Sequence, residues 1–265
     1  RAPVAPGGQP ARQRGEVVPA PLLLTVAKTY DASNVFDTSR GYTLTGMVNG
    51  ESAPTITSGS ATTASPNAGN YTSFASSSFT LDNPNYTLPW NNVNATIHKA
   101  PIGIEMTASY SGSTTVTPLT FSVTGLVGNE TIAPTSVVLH DKNVSANGSN
   151  YVVDLLAGTG TALASNYTFV PAYNATPGTG TTNTVTLSPA NLTITANAVT
   201  QTYNGSSYSG GGGISYNGLL GADTGASLGG VLTYGGSSQG ARHVGNYTIS
   251  PSGLSSTNYN LSFVD

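Results

Sequence analysis

The sequence predicts an all-β chain built as three tandem small antiparallel β domains, each a sandwich or a β-grasp-like roll, set in an elongated array. Two observations carry that expectation. From Leu22 onward, apolar residues alternate with Thr, Ser or Asn at a period close to 2, and Gly, Asn and Pro punctuate the runs every ~8–12 residues. In addition, a signature of four landmarks recurs three times in constant order, dividing the chain into units of ~80–90 residues.

Residues 1–20 hold Pro, Gly, Gln and Arg with hardly a large apolar side chain before Val17, and read as a flexible leader or linker. The first β repeat spans 21–99, with strands expected at Leu24-Thr25-Val26, Tyr42-Thr43-Leu44, Phe79-Thr80-Leu81, Tyr86-Thr87-Leu88 and Ala95-Thr96-Ile97. The second spans 100–190, with Ile102-Gly103-Ile104, Phe121-Ser122-Val123, Val137-Val138-Leu139, Tyr167-Thr168-Phe169 and Val185-Thr186-Leu187, and a Gly/Thr-rich insertion at 174–184. The third spans 191–265, with Leu192-Thr193-Ile194, Val231-Leu232-Thr233-Tyr234, Tyr247-Thr248-Ile249 and Leu261-Ser262-Phe263. It lacks a counterpart of Ala95-Thr96-Ile97 or Val185-Thr186-Leu187, so either the array continues or another segment supplies the missing edge.

The first landmark is a Tyr-centred turn at Tyr30, Tyr110 and Tyr203, each followed by Asp, Ser or Asn, then Ala or Gly, then Ser. The second opens on Gly46, Gly125 and Gly218, continues through two apolar residues and closes on Glu51, Glu130 and Asp223. The third is a Gly followed by Asn-Tyr, with Tyr71, Tyr151 and Tyr247, and the fourth a second Asn-Tyr, with Tyr86, Tyr167 and Tyr259. Recurrence at the same place in each copy suits a requirement of the fold, so these twelve residues are read as structural markers. Sugar stacking by the turn tyrosines, or cation binding at Asp31, is the weaker alternative. The three acids have no neighbouring carboxylates to complete an oxygen cage, so they read as turn or edge acids that discourage strand pairing.

Only 7% of residues are charged and the net charge is -3, which leaves no basic footprint for nucleic acid or anionic lipid. With no cysteine there is neither a disulfide framework nor a thiolate metal site, a composition compatible with the cytosol or with export of an unlinked chain. No apolar run of about 18 residues exists to span a membrane as a helix. The chain opens on Arg1 rather than Met, which predicts a mature product or a piece of a longer protein. His98, His140 and His243 stand in unrelated contexts, and no nucleophile elbow accompanies them, so an enzyme is not expected and no catalytic, cofactor or metal residue is assigned. Trp90 is expected to pack, with sugar stacking as the alternative, and the run Ser209 to Gly213 reads as a flexible hairpin because it lacks the Lys-Ser/Thr of a phosphate loop. Asn-x-Ser/Thr sequons recur, several being the Asn-Tyr-Thr strand motif itself.

The order Leu192-Thr193-Ile194-Thr195-Ala196, Thr202-Tyr203-Asn204-Gly205, Gly218-Leu219-Leu220-Gly221-Ala222-Asp223, Val244-Gly245-Asn246-Tyr247-Thr248-Ile249 and Asn258-Tyr259-Asn260-Leu261 resembles the MBG/YDG-type repeats of filamentous-haemagglutinin-like bacterial surface adhesins. The resemblance extends over most of 22–265, and is strongest in the third copy and loosest in the second. It implies a secreted protein of the bacterial cell surface whose repeats form a stalk and make surface contacts in cell or biofilm adhesion, with no catalytic residues. The partners so implied are a host or neighbouring-cell glycan or protein, or biofilm matrix, with neither nucleic acid nor membrane insertion.

Two other readings remain. In one, the chain is a fibre subunit that self-associates through an open β edge, the third repeat accepting a neighbour's strand from the segment holding Val17, Val18, Leu22, Leu23, Leu24 and Val26. In the other, it is a carbohydrate-binding β module in which Tyr86, Trp90 or Tyr173 stacks on sugars.

Overall fold

The structure is a computed structural model that describes residues 16–156, 158–176 and 182–265. Most of the expected leader, and residues 177–181 of the Gly/Thr-rich insertion, lie outside the described residues. The described chain is all-β, and its only helical elements are four 3-10 turns of three residues each. It divides into two compact units, the first ending at Lys99 and the second running from Ala100 to Asp265. The second unit contains two successive sets of sheets, which are the second and third repeats.

In unit 1 the opening strand, Leu23–Thr29, sits inside a four-stranded sheet. On one side it pairs antiparallel with Tyr42–Thr45, and on the other it pairs parallel with the closing strand Val93–His98, from Leu24 opposite Val93 to Thr29 opposite His98. The closing strand in turn pairs antiparallel with Gly69–Tyr71, with Ala95 opposite Tyr71. This parallel pairing amends the expectation of purely antiparallel domains, and its cause is topological. Parallel neighbours need a long crossover, and here the whole body of the repeat lies between its first and last strands.

The alternation decides which residues enter the core. Leu24, Val26 and Lys28 of the opening strand and Val93, Ala95 and Ile97 of the closing strand all point inward and are buried. A second sheet of Val35–Asp37, Ser60–Thr62 and Ser76–Ser77 contributes Phe36, whose ring lies 6.0 Å from that of Phe74. Lys28 is the exception to an apolar face. Its ammonium is held by the Asp31 carboxylate at 2.7 Å and the carbonyls of Ser33 and Val35 at 2.6 and 3.1 Å, with its charge 5.3 Å from the centre of the Phe36 ring.

Repeat 2 follows the same plan. Its opening strand Gly103–Ser109 lies between Thr120–Thr124 and the parallel closing strand Asn183–Ser188, over a core of Ile104, Met106, Val137, Leu139, Val152, Val185 and Leu187. Buried Asn183 spans strands with its side chain, accepting from the Val152 amide and donating to the carbonyls of Val152 and Val170.

In repeat 3 the opening strand Ala190–Ala196 pairs antiparallel with Ile214–Asn217 and parallel with Tyr259–Val264, beside a hairpin of Gly229–Gly235 and Ser250–Ser255. Its core is smaller, with Leu192, Ile194 and Tyr259 buried together with Tyr110, which belongs to repeat 2. Tyr259–Val264 begins where Tyr86–Thr87 and Tyr167–Thr168 pair in the earlier repeats, next to the start of the opening strand. Phe263 and Val264, at its end, face Ile194 and Thr195, the places that the first residues of the closing strands face in unit 1 and repeat 2. Tyr247-Thr248-Ile249, expected as a strand, is irregular, because an extended segment becomes a strand only when a partner pairs with it.

Candidate functional site

Each repeat builds one identical device from its second and fourth landmarks. Gly46, Gly125 and Gly218 adopt φ of 103°, 86° and 113°, the left-handed region that glycine reaches without strain, and so turn the chain sharply. Five residues on, the amides of Glu51, Glu130 and Asp223 bond to the carbonyls of Val48, Val127 and Leu220. The hydroxyls of Tyr86, Tyr167 and Tyr259 accept the amides of those same apolar residues at 3.1, 3.0 and 2.9 Å. They donate to the acids, Tyr86 to Glu51 at 2.6 Å, Tyr167 to Glu130 at 2.5 Å and Tyr259 to Asp223 at 2.7 Å. A buried phenol thus has both its donor and its acceptor satisfied, as burial of a polar tip requires.

In the third repeat this device is also the joint to the second. The Tyr110 hydroxyl donates to the same Asp223 oxygen at 2.7 Å, and the Tyr110 and Tyr259 rings meet edge to face with centroids 5.2 Å apart. The Lys142 ammonium lies 3.5 Å from the other Asp223 oxygen and donates to the Gly112 carbonyl at 3.4 Å. Burial opposes ionisation of Asp223, but hydrogen bonds from Tyr110 and Tyr259 and the charge of Lys142 outweigh it and hold the carboxyl below its usual value. Burial first, and the Asp223 carboxylate second, push both phenols up. A second clasp forms where the Asn258 side chain accepts the Val144 amide at 2.9 Å and donates to Asn143 Oδ1 at 2.8 Å. The backbones come close as well. A Cβ on Gly112, whose φ is +74°, would lie 2.6 Å from the Leu220 carbonyl oxygen.

Residues 192–265 match the family model described as MBG domain (YGX type). The third repeat is an MBG-type repeat. No curated protein and no solved structure matches the chain. The third copies of the four landmarks, at Tyr203, Gly218 to Asp223, Tyr247 and Tyr259, all lie within the matched residues. Among the described residues no group of three or more His, Asp and Glu side chains stands together as a metal site.

The remaining landmarks are placed as follows. Tyr30 and Tyr110 are buried at the ends of their opening strands, whereas Tyr203 of the MBG repeat is 65% exposed. Tyr71 and Tyr247 each fold back so that the hydroxyl donates to the carbonyl four residues earlier, Asn67 at 2.6 Å and His243 at 3.0 Å, while Tyr151 instead stacks on His140 at 4.5 Å. Of the sugar-stacking candidates, Tyr86 is buried and bonded to Glu51 and presents no ring face. Trp90 is 61% exposed, contrary to the expectation that it packs, and Tyr173 is 40% exposed. The strand-donor segment is corrected more firmly. Leu22, Leu24 and Val26 are buried and the strand is paired on both edges, Leu23 lies within that strand, and only Val17 and Val18 stand free of it. The glycine run is packed rather than a loose hairpin, since a Cβ at Gly211 would strike the Tyr234 ring at 2.4 Å and one at Gly212 would strike Val199 at 2.3 Å.

The three acids, expected as turn or edge charges, close turns and accept hydrogen bonds from tyrosine. Their separations from the partner tyrosine, 35, 37 and 36 residues, are the signal that would have found them. Asn258 stands in the fourth landmark beside Tyr259, whereas Lys142 and Asn143 belong to none of the four.

Proposed function

We propose that the chain is a structural and adhesive repeat section of a secreted bacterial cell-surface protein, serving as stalk and surface contact in the manner of filamentous-haemagglutinin-like adhesins. The observation that carries this reading is the joint of Tyr110, Asp223 and Tyr259. It is made from signature residues of two successive repeats, so the repeat sequence itself encodes how one copy holds the next. A joint with a carboxylate, two phenols and an ammionum-bearing lysine, all mutually satisfied, is suited to transmit load between modules. The MBG match of the third repeat and the neutral Thr/Ser/Asn surface of the strands support the same reading, which involves no catalytic step. Partners would be glycans or proteins of another cell surface, or biofilm matrix.

The test is surface labelling and adhesion in the source organism. Antibody raised against the chain should stain intact, unpermeabilised cells, and deletion of the encoding region should lower attachment or biofilm mass. Staining confined to permeabilised cells would refute surface display.

A further inference from the structure

In unit 1 and in repeat 2 the first and last strands are parallel neighbours along their whole length. Leu24 to Thr29 faces Val93 to His98 over six register pairs, and Ile104 to Ser109 faces Asn183 to Ser188 over six. Both pairs are tied at the far end, where the amides of Tyr30 and Tyr110 donate to the carbonyls of His98 and Ser188, each at 2.8 Å. The start of the opening strand is held in the same direction. The Ala20 and Leu22 amides donate to the Asn85 and Thr87 carbonyls at 2.9 Å, and the Ile102 amide donates to the Thr168 carbonyl at 2.8 Å.

The connections add no slack. Lys99 alone separates the closing strand of unit 1 from Ala100–Pro101, and Pro189 alone separates the closing strand of repeat 2 from Ala190–Ala196. Tension along the backbone therefore enters a repeat at the amino end of its opening strand and leaves at the carboxyl end of its closing strand. Because the two strands run the same way side by side, those points lie at opposite ends of the pair. Such a pull slides one strand along the other and strains every bond between them at once. A pull applied at one shared end would break the same bonds one after another.

Side chains pin the pair against sliding. In unit 1 the Asn92 side chain donates to the Leu22 carbonyl at 3.1 Å, while the Asn92 carbonyl accepts the Leu24 amide at 3.3 Å. In repeat 2 the Asn183 side chain fixes the start of the closing strand to Val152 and Val170, and the Asn147 side chain holds the Leu187 carbonyl and amide at 2.9 and 2.8 Å. On the inner face Leu24 and Val26, with Val93, Ala95 and Ile97, are buried. A slip of one residue would turn that buried set toward water and break a close-packed interior.

We infer that each parallel pair is a mechanical clamp, by which unit 1 and repeat 2 resist tension along the chain through shear between their first and last strands. The body of the repeat between those strands carries no load until the pair parts. Surface features such as the turn bearing Trp90, 61% exposed, thus keep their folded form while the chain is pulled. That use rests on the stalk reading above, whereas the clamp is a property of each folded repeat.

The test is single-molecule force spectroscopy on the whole chain, which has no cysteine of its own and so accepts handles at chosen pairs of sites. Handles on Glu16→Cys and Lys99→Cys load unit 1 from end to end. Handles on Thr29→Cys and His98→Cys, exposed register partners at one end of the same pair, peel it open. End-to-end loading is expected to rupture unit 1 in one step, at a force severalfold above that for peeling, and to release on the order of 25 nm of chain. Equal forces in the two geometries, or end-to-end rupture in several small steps, would overturn the clamp. Urea denaturation of both variants precedes the pulling. Should either pair of substitutions lower the midpoint, the same comparison in repeat 2 decides, with Lys99→Cys and Pro189→Cys against the register partners Ser109→Cys and Ser188→Cys. The force is read on purified chain, so its failure leaves surface display to antibody labelling, and absence of surface staining leaves the clamp standing.

Discussion

The Tyr110 hydroxyl of one repeat and the Tyr259 hydroxyl of the next share a single oxygen of Asp223, each at 2.7 Å. The acid therefore closes its own repeat and receives its neighbour at once. Tyr110→Phe keeps the ring in its edge-to-face contact and removes one donor, and should cost unit 2 about 1 kcal/mol. Asp223→Ala leaves two buried phenols and Lys142 without their acceptor and should cost about 3 kcal/mol. Urea denaturation of the whole chain measures both. Strong non-additivity of Tyr110→Phe with Asp223→Ala is expected, because the two changes delete the same bond, and simple additivity would show that the bond contributes nothing.

The joint should also be bounded in pH from both sides. The Asp223 carboxyl is held below its usual 3.8, so the stability it contributes is fully present above that value and is lost as pH falls through the depressed one. Tyr110 and Tyr259 are raised above 10.0, so their contribution is present below 10.0 and is lost as pH climbs through the raised values. Stability of unit 2 against pH should show a plateau between these limits. Asp223→Asn should flatten the acid limb while leaving other carboxylates to act, and an unchanged acid limb would show that Asp223 is not the group responsible.

Two glycines isolate the steric part of docking. Gly112 and Gly205 occupy the same place in successive tyrosine turns, at φ +74° and +76°, so an alanine is strained at either. Gly205→Ala meets nothing within 4 Å and should cost the conformational strain alone, about 1 kcal/mol. Gly112→Ala adds a contact of 2.6 Å with the Leu220 carbonyl and should cost about 2 kcal/mol more, with faster hydrogen exchange at the Leu220 turn. Equal losses at both positions would mean that the close approach of the turns is not needed.

Much of this was legible because a period of 2 reports which side of a strand faces inward. Leu24, Val26, Ala95 and Ile97 needed no structure to be placed in a core. Pairing is a property of two segments, and a local pattern carries only one of them. Hence the parallel pairing of Leu23–Thr29 with Val93–His98 is not contained in the local pattern, and Tyr247-Thr248-Ile249, with the right alternation, forms no strand among the described residues. The landmarks were recognised as fold markers one by one. Their joint action, tyrosine to acid within a repeat and tyrosine to acid between repeats, is a three-dimensional contact that recurrence hinted at through spacing only.

Lys28 offers a sharper trial of what a buried charge does in this fold. Its side chain is wholly buried, and its three hydrogen bonds go to Asp31, which is 36% exposed and also held by Arg40 at 3.2 Å, and to the carbonyls of Ser33 and Val35. Repeat 2 places Ala108 at the corresponding inward position, so the charge is not a demand of the β architecture. It serves the tyrosine turn of unit 1, where Ala32 adopts φ +60° and the chain must bend back over the ammonium. Lys28→Met retains the stem and its packing against Phe36 but strips the donor from two carbonyls. It should destabilise unit 1 by about 2 kcal/mol and loosen 31–35 first, seen as early amide exchange there. Lys28→Ala adds a cavity and should cost more. If Lys28→Met were neutral or stabilising, as happens when a well-packed apolar residue replaces a buried ion, the turn would be held by Asp31 and its local bonds to Ser33, without help from the ammonium.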